Sequence, residues 1–270
     1  MDLHGWMTFL RSRITASSVR EGAYVLDAGA LETLAERLSA DYAHAEPFRH
    51  TVIDDFLPAR VAKRLRRDFP PVESDIWIEQ HPARQPGKLG ITHASRLRGI
   101  EPSIVHAICQ FNSFPFLNFL SRLTGISKLL PDPYLHGGGP QQVVDGGRLD
   151  VHTDFTLLAK LDLYRRINVL YYLSPPWRPE YGGELEFWTD SRPQPKPVKS
   201  IAPAFNRMVV FNTTSSTFHG HPRPLRVPKG VTRKALAFYY YTAQPEESQQ
   251  YTQRTRWIGP IAADRWVERP

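Results

Sequence analysis

The most reactive-looking stretch of this chain is LDVHTDF, Leu149 to Phe155. His152 and Asp154 stand two residues apart between good strand formers, so in a strand they share one face. If that face is the core, an imidazole and a carboxylate lose their water there, and something has to hold them. A divalent metal would supply the charge that does so. A third ligand must come from elsewhere. NTTSSTFHGHP, directly after the strand-like RMVVF, offers His219 and His221. Two histidines and one carboxylate on one side of a metal make the facial arrangement of non-haem Fe(II) sites, with three positions open for a co-substrate and oxygen. Zinc accepts the same ligands, and an isolated H-x-D pair is more often a surface pair or a satisfied core pair.

TRKALAFYYYT adds a cation. By period two, Arg233, Ala235, Ala237 and Tyr239 share a face. Turned inward, an arginine beside two alanines makes a roomy cationic pocket in which a guanidinium grips a carboxylate with both arms. That suits a small dicarboxylate chelating the metal at one end and meeting arginine at the other. The plainer reading is that Arg233 and Lys234 flank a strand end.

These residues need strands to position them. From about residue 130, short strand-like runs alternate with Gly and Pro turns: QQVVDGGRLDVHTDF, RINVLYYLSPP, GGELEFWTD, PVKSIAP, RMVVFNTT and TRKALAFYYYT. Such spacing without intervening helices predicts an antiparallel barrel or double-sheet sandwich. Upstream, ALETLAERLSADYA carries Leu31, Leu34, Ala35 and Leu38 at helical spacing. RHTVIDDFLP gives a short strand, Thr51 to Ile53, with Asp54 or Asp55 placed to cap the next helix and Pro58 in its first turn. Leu57, Val61, Leu65 and Phe69 form one apolar face of that helix. PSIVHAICQFNSFPFLNFLSRLTG predicts one or two helices stopped by Gly125.

The chain has 270 residues, 41% of them apolar and 11% aromatic, enough to bury a core and too apolar for wholesale disorder. Its 24 prolines against 17 glycines predict few long helices. A formal charge of +7 admits an anionic partner, but only RVAKRLRR (Arg60 to Arg67) is dense. Its helical periodicity reads as one solvated basic face, which argues against nucleic acid. A single cysteine, Cys109, excludes an intrachain disulfide framework and a thiolate zinc site. MDLHGWMTFLRSR lacks the apolar run of a secretory signal, and no segment approaches membrane-spanning length. The expectation is a cytoplasmic protein that engages no membrane.

The order of motifs resembles the 2-oxoglutarate- and Fe(II)-dependent oxygenases, in their prolyl 4-hydroxylase-like branch, over roughly residues 50 to 242. The matching pieces are HTVIDDFLP, GGRLDVHTDF, RRINVLYYLSPPW, YGGELEFW, FNRMVVFNTTSSTFHGHPRPL and TRKALAFYYYT. The resemblance implies a mainly β fold with flanking helices around a double-stranded β-helix (jelly-roll, cupin-like) core at about 130–242. It divides the chain into an N-terminal helical extension, 1–47, and an oxygenase domain, 48–270. It implies that His152, Asp154 and His219 bind Fe(II), with His219 preferred over His221 because the family's ligand follows the strand-to-loop turn. Arg233 would take the distal carboxylate of 2-oxoglutarate; relatives of animal type carry Lys there, and Lys234 is adjacent. Many relatives have Ser two residues beyond that cation, where this chain has Ala235. Halogenating relatives replace the carboxylate ligand with a small residue, so Asp154 points to hydroxylation or desaturation.

From the facing parity of RINVLYYL, Asn168 and Tyr172 are co-substrate contacts, with core packing as the alternative. Trp177, Trp188 and Tyr134 are candidates for a substrate wall. The implied activity is hydroxylation of an unactivated C–H bond, consuming O2 and 2-oxoglutarate and releasing succinate and CO2. The expected substrate is a prolyl or other amino-acid moiety, free, carrier-bound or peptidyl. No catalytic residue beyond the metal ligands is called for. The competing readings are a non-catalytic cupin-like barrel and a nucleic-acid demethylase of the same superfamily.

Overall fold

Strand parity decides which side chains this chain turns inward. The computed structural model describes residues 26–79, 81–91, 93–189 and 196–258. Its helices are α1 (Ala28–Ala43), α2 (Ala59–Arg67), α3 (Pro102–Phe111) and α4 (Phe114–Thr124). A nine-stranded antiparallel sheet has the order β1 (His50–Ile53), β11 (Met208–Asn212), β8 (Leu163–Tyr172), β13 (Arg233–Thr242), β5 (Gly139–Val143), β3 (Lys88–Gly90), β2 (Ile78–Glu79). The short β4 (Leu130–Pro131) and β7 (Leu157–Leu158) pair with β13 and β8 off that path. A second sheet runs β10 (Pro197–Ile201), β9 (Leu185–Trp188), β12 (Phe218–His221), β6 (Leu149–Thr153), β14 (Arg256–Trp257). The two sheets form the double-stranded β-helix expected from the motif order.

Along β8 and β13 the two faces have separate tasks. Val169, Tyr171, Leu236, Phe238 and Tyr240 join the helix residues Phe111, Phe116 and Phe119 in the main core. The opposite face, with Tyr172 and Ala235, packs on Leu185, Phe187, Val209 and Phe211 between the sheets. Alternation therefore places an apolar layer under the helices and a mixed layer around an interior cavity. Gly139, at φ +90°, begins β5 where a Cβ would lie 2.3 Å from the Ile91 carbonyl oxygen, so only glycine permits this crossing.

The predicted face Leu57, Val61, Leu65 and Phe69 is buried. Gly125 ends α4 in the left-handed region, at φ +74°. The predicted cap of α2 is not what forms. Pro58 occupies the N-cap without a side-chain bond. Asp54 instead pairs with Arg207, 2.6 Å from Nε and 2.9 Å from Nη2. A bidentate guanidinium outcompetes a backbone N–H for that carboxylate. Among the described residues, no helix is long and apolar enough to cross a membrane. Residues 1–25, including the stretch read for a signal, and 259–270 lie outside the described residues.

Candidate metal centre and cavity

The ladder of the smaller sheet brings the H-x-D pair to its third partner. His152 on β6 is the register partner of His219 on β12, and a bulge follows before His221 pairs with Leu149. One donor atom from each of His152, Asp154 and His219 lies within 4.8 Å of the others. Asp154 stands 3.5 Å from each histidine Nε2, through Oδ1 to His152 and Oδ2 to His219. Donors about 2.1 Å from one ion and at right angles would be about 3 Å apart, so little movement is needed.

The tautomers are set by the backbone. His152 Nδ1 lies 2.9 Å from the Asp150 carbonyl oxygen, and His219 Nδ1 3.1 Å from that of Thr217. A carbonyl only accepts, so each Nδ1 carries the proton and each Nε2 turns a lone pair to the common point. Burial, followed by the neighbouring His152, pushes the His219 imidazole down to about 4, so its lone pair is free at neutral pH. Trp257 on β14 lies over His152, with ring centroids 4.7 Å apart and planes at 31°.

Asp154 is held by two groups. Arg165 donates from Nη2 at 3.0 Å and Asn168 from Nδ2 at 2.7 Å, both to Oδ2. Burial pushes the Asp154 carboxyl up, but Arg165 first and then the histidines outweigh it and hold the group well below its usual range. The carboxylate is thus ionised and aimed. Arg165 is only 1% exposed. Its guanidinium lies 3.4 Å from the ring centroid of Tyr239 and 4.9 Å from that of Phe155, and aromatic faces replace part of its water.

Asn168, expected to meet a co-substrate, lines the cavity, and its amide is engaged within the protein. Its Oδ1 accepts from Arg165 Nε at 2.9 Å, Arg165 Nη2 at 2.7 Å and Thr213 Oγ1 at 3.0 Å. With both ends of its amide engaged, it positions Asp154. Tyr172 departs from expectation. Its hydroxyl accepts from Arg233 Nη2 at 3.0 Å, and it supports the arginine instead of lining the cavity. Arg233 is buried, donates Nε to the Gly183 carbonyl at 2.7 Å, and lines the cavity. Lys234 points the other way, with Nζ 5.3 Å from the Phe69 ring centroid, as strand parity requires.

The cavity measures about 550 Å³, within the small-molecule range of about 300–1,000 Å³. His152, Asp154 and His219 lie on its wall with Arg233, and His221 shares it without joining the donor set. None of the three aromatics suggested as a substrate wall reaches it; Phe155, Tyr239 and Trp257 do. Trp177 donates Nε1 to the Gly182 carbonyl, Trp188 packs with Val151, Phe218 and Ile258, and Tyr134 is exposed. Arg165, Lys88 and Trp257 went unpredicted. Arg165 sat in an RR pair at a strand start, Lys88 in a Pro- and Gly-rich segment, and Trp257 in a tail with no strand pattern.

Two histidines and one carboxylate converging inside a double-stranded β-helix, with an arginine facing the same hollow, are the arrangement used by non-haem metal-dependent oxygenases. A family model described as the 2OG-Fe(II) oxygenase superfamily matches residues 139–241, the segment that holds all three donors and Arg233. That segment is similar to the 2OG-Fe(II) oxygenase superfamily. Prolyl 3-hydroxylase OGFOD1 of Xenopus laevis is 26% identical over 183 residues, 64% of this chain and 31% of that one. The Mus musculus protein of the same name is 42% identical over 57 residues, 20% of this chain and 10% of that one. The chain thus spans under a third of the length of these relatives. In fold it is similar to a prolyl hydroxylase from Trichoplax adhaerens solved with a hypoxia inducible factor peptide fragment. That match has a TM-score of 0.53 and 19% identity, covering 79% of this chain and 91% of that one. A prolyl 4-hydroxylase from Phytophthora capsici gives a TM-score of 0.51 at 19% identity, covering 87% and 74%.

Proposed function

We propose that this protein is a 2-oxoglutarate-dependent Fe(II) hydroxylase acting on a prolyl or other amino-acid moiety. The observation that carries the reading is the convergence of His152 Nε2, His219 Nε2 and the Asp154 carboxylate, with both Nδ1 atoms committed to backbone carbonyls. The donor set fits Fe(II) in chemistry and spacing: two neutral imidazoles, one ionised carboxylate, all on one side. Bound there, Fe(II) with 2-oxoglutarate and dioxygen supplies the oxidation, yielding succinate, CO2 and a hydroxylated carbon.

The chain's own residues do the rest. Arg165 and Asn168 hold Asp154 ionised and oriented. Arg233, braced by Gly183 and Tyr172, presents its remaining N–H groups to the distal carboxylate of 2-oxoglutarate. Trp257 packs over His152 and fixes its ring. Ala235, where relatives offer a hydroxyl, leaves the cation as the principal grip. A cupin-like barrel without activity has no need of a buried arginine facing its cavity. Relatives named as prolyl hydroxylases support the amino-acid substrate class.

The test is anaerobic. Adding Fe(II) and then 2-oxoglutarate to the purified protein should produce a weak visible charge-transfer band near 500 nm, as expected for a chelate on a facial triad. Its absence from folded, iron-loaded protein would refute the reading. A panel of free amino acids and prolyl peptides, scored for a gain of one oxygen atom by mass, then identifies the substrate.

A further inference from the structure

The cavity wall bears four cations, Lys88, Arg165, Arg233 and Arg254, against one carboxylate, Asp154. Arg165 is paired with that carboxylate. Arg233 is braced by neutral oxygens, and Lys88 donates to the neutral Gln85 Oε1 at 3.1 Å. With Arg254 exposed, Lys88 and Arg233 face the cavity with no salt-bridge partner among the described residues, and the positive charge on the wall exceeds that of Asp154, an excess a dianion would balance.

The register places them together. Lys88 is the partner of Val143 on β5, and Val143 is the partner of Arg233 on β13, so the two cations stand in one row across three strands. With β5 between them the two strands lie about 9.6 Å apart, two strand spacings, a gap that two long side chains converging on one group can span. Across the hollow stands His221, 2% exposed, with neither ring nitrogen hydrogen-bonded. An imidazole buried without partners is costly and rare in a finished core. Lining this cavity, it is a donor awaiting a ligand.

We infer that Lys88 and His221 join Arg233 in holding the far carboxylate of 2-oxoglutarate, as co-substrate-positioning residues contributed by β3 and β12. The inference rests on the co-substrate reading above. Lys88 lies outside the segment that the family match covers, and His221 is the histidine left over from metal binding. Together they make a three-sided clamp in place of a single arginine.

The test is calorimetric titration of Mn(II)-loaded full-length protein with 2-oxoglutarate, repeated with 2-oxopentanoate, which keeps the chain length and lacks the far carboxylate. Lys88→Met should weaken 2-oxoglutarate binding about tenfold or more, and Lys88→Arg should restore most of it. His221→Leu should weaken it by about threefold to tenfold. Mn(II) content should stay unchanged in all three, which separates clamp loss from misfolding or ligand loss. The Lys88→Met penalty should nearly vanish with 2-oxopentanoate. Wild-type affinity in Lys88→Met, or an equal penalty with both oxo acids, overturns the assignment while leaving the proposed function intact. Failure of the wild type itself to bind 2-oxoglutarate would sink the function reading instead.

Discussion

Arg165 is the residue on which the centre depends before any ion arrives. It is fully buried, and Asp154 keeps it charged against the cost of burial. Removing one partner of such a pair strands the other charge, at a cost of about 3–5 kcal/mol. Arg165→Leu should therefore lower the urea midpoint sharply, and adding Asp154→Asn to it should recover part of the loss. Simple additivity of the two changes would show that the pair is not coupled. The ligand choice is tested at the same scale: iron content after desalting should vanish in His219→Ala and persist in His221→Ala. Lys88 sets a pH dependence. Burial, with Arg233 and Arg165 beside it, pulls its ammonium down to about 8, while Asp154 pulls the other way and His221 faces it unprotonated. The protonated form attracts a dianion and the neutral form does not. Apparent affinity for 2-oxoglutarate should thus be flat on the acid side and fall as pH rises through about 8. Lys88→Arg should move that fall to higher pH.

At the scale of elements, the joint between β1, α2 and the turn into β11 hangs on Asn206. It sits at φ +64°, buried. Its side chain accepts from Leu57 N at 3.0 Å and from the Tyr171 hydroxyl at 2.7 Å, and donates to the Leu57 carbonyl at 2.8 Å. Asn206→Ala should cost about 2–4 kcal/mol in urea unfolding, because three buried groups lose partners and a strained φ remains. Nothing in the sequence marks this residue out, since Leu57 lies 149 positions upstream and Tyr171 lies 35. The parts that were legible share one property: they depend on period two within a single strand. His152 with Asp154, and Arg233 with Ala235, are read that way. Asn168 and Tyr172 share one face by the same rule, yet their tasks depend on Arg165 and Arg233, whose placement needs the register between strands. Periodicity says which face a residue occupies and is silent on who stands opposite. Trp257 is the extreme case, a two-residue strand visible only through its pairing with β6.

At the scale of the molecule, ligand binding and stability are one equilibrium. Mn(II) at a hundredfold excess over its dissociation constant should add about 2.7 kcal/mol to unfolding stability, and His152→Ala should abolish the gain. The sheets also show how the middle of the chain relies on its flanks. Strand β1 covers the outer side of β11, β3 covers that of β5, and β14 covers that of β6. Each of these three covering strands lies outside residues 139–241. A trimmed polypeptide of those residues alone would keep every metal donor and expose three rows of unpaired backbone amides and carbonyls. Such rims recruit one another. Light scattering of the trimmed piece should report growing assemblies where the parent chain stays dispersed, so the flanks serve as insulation as much as architecture.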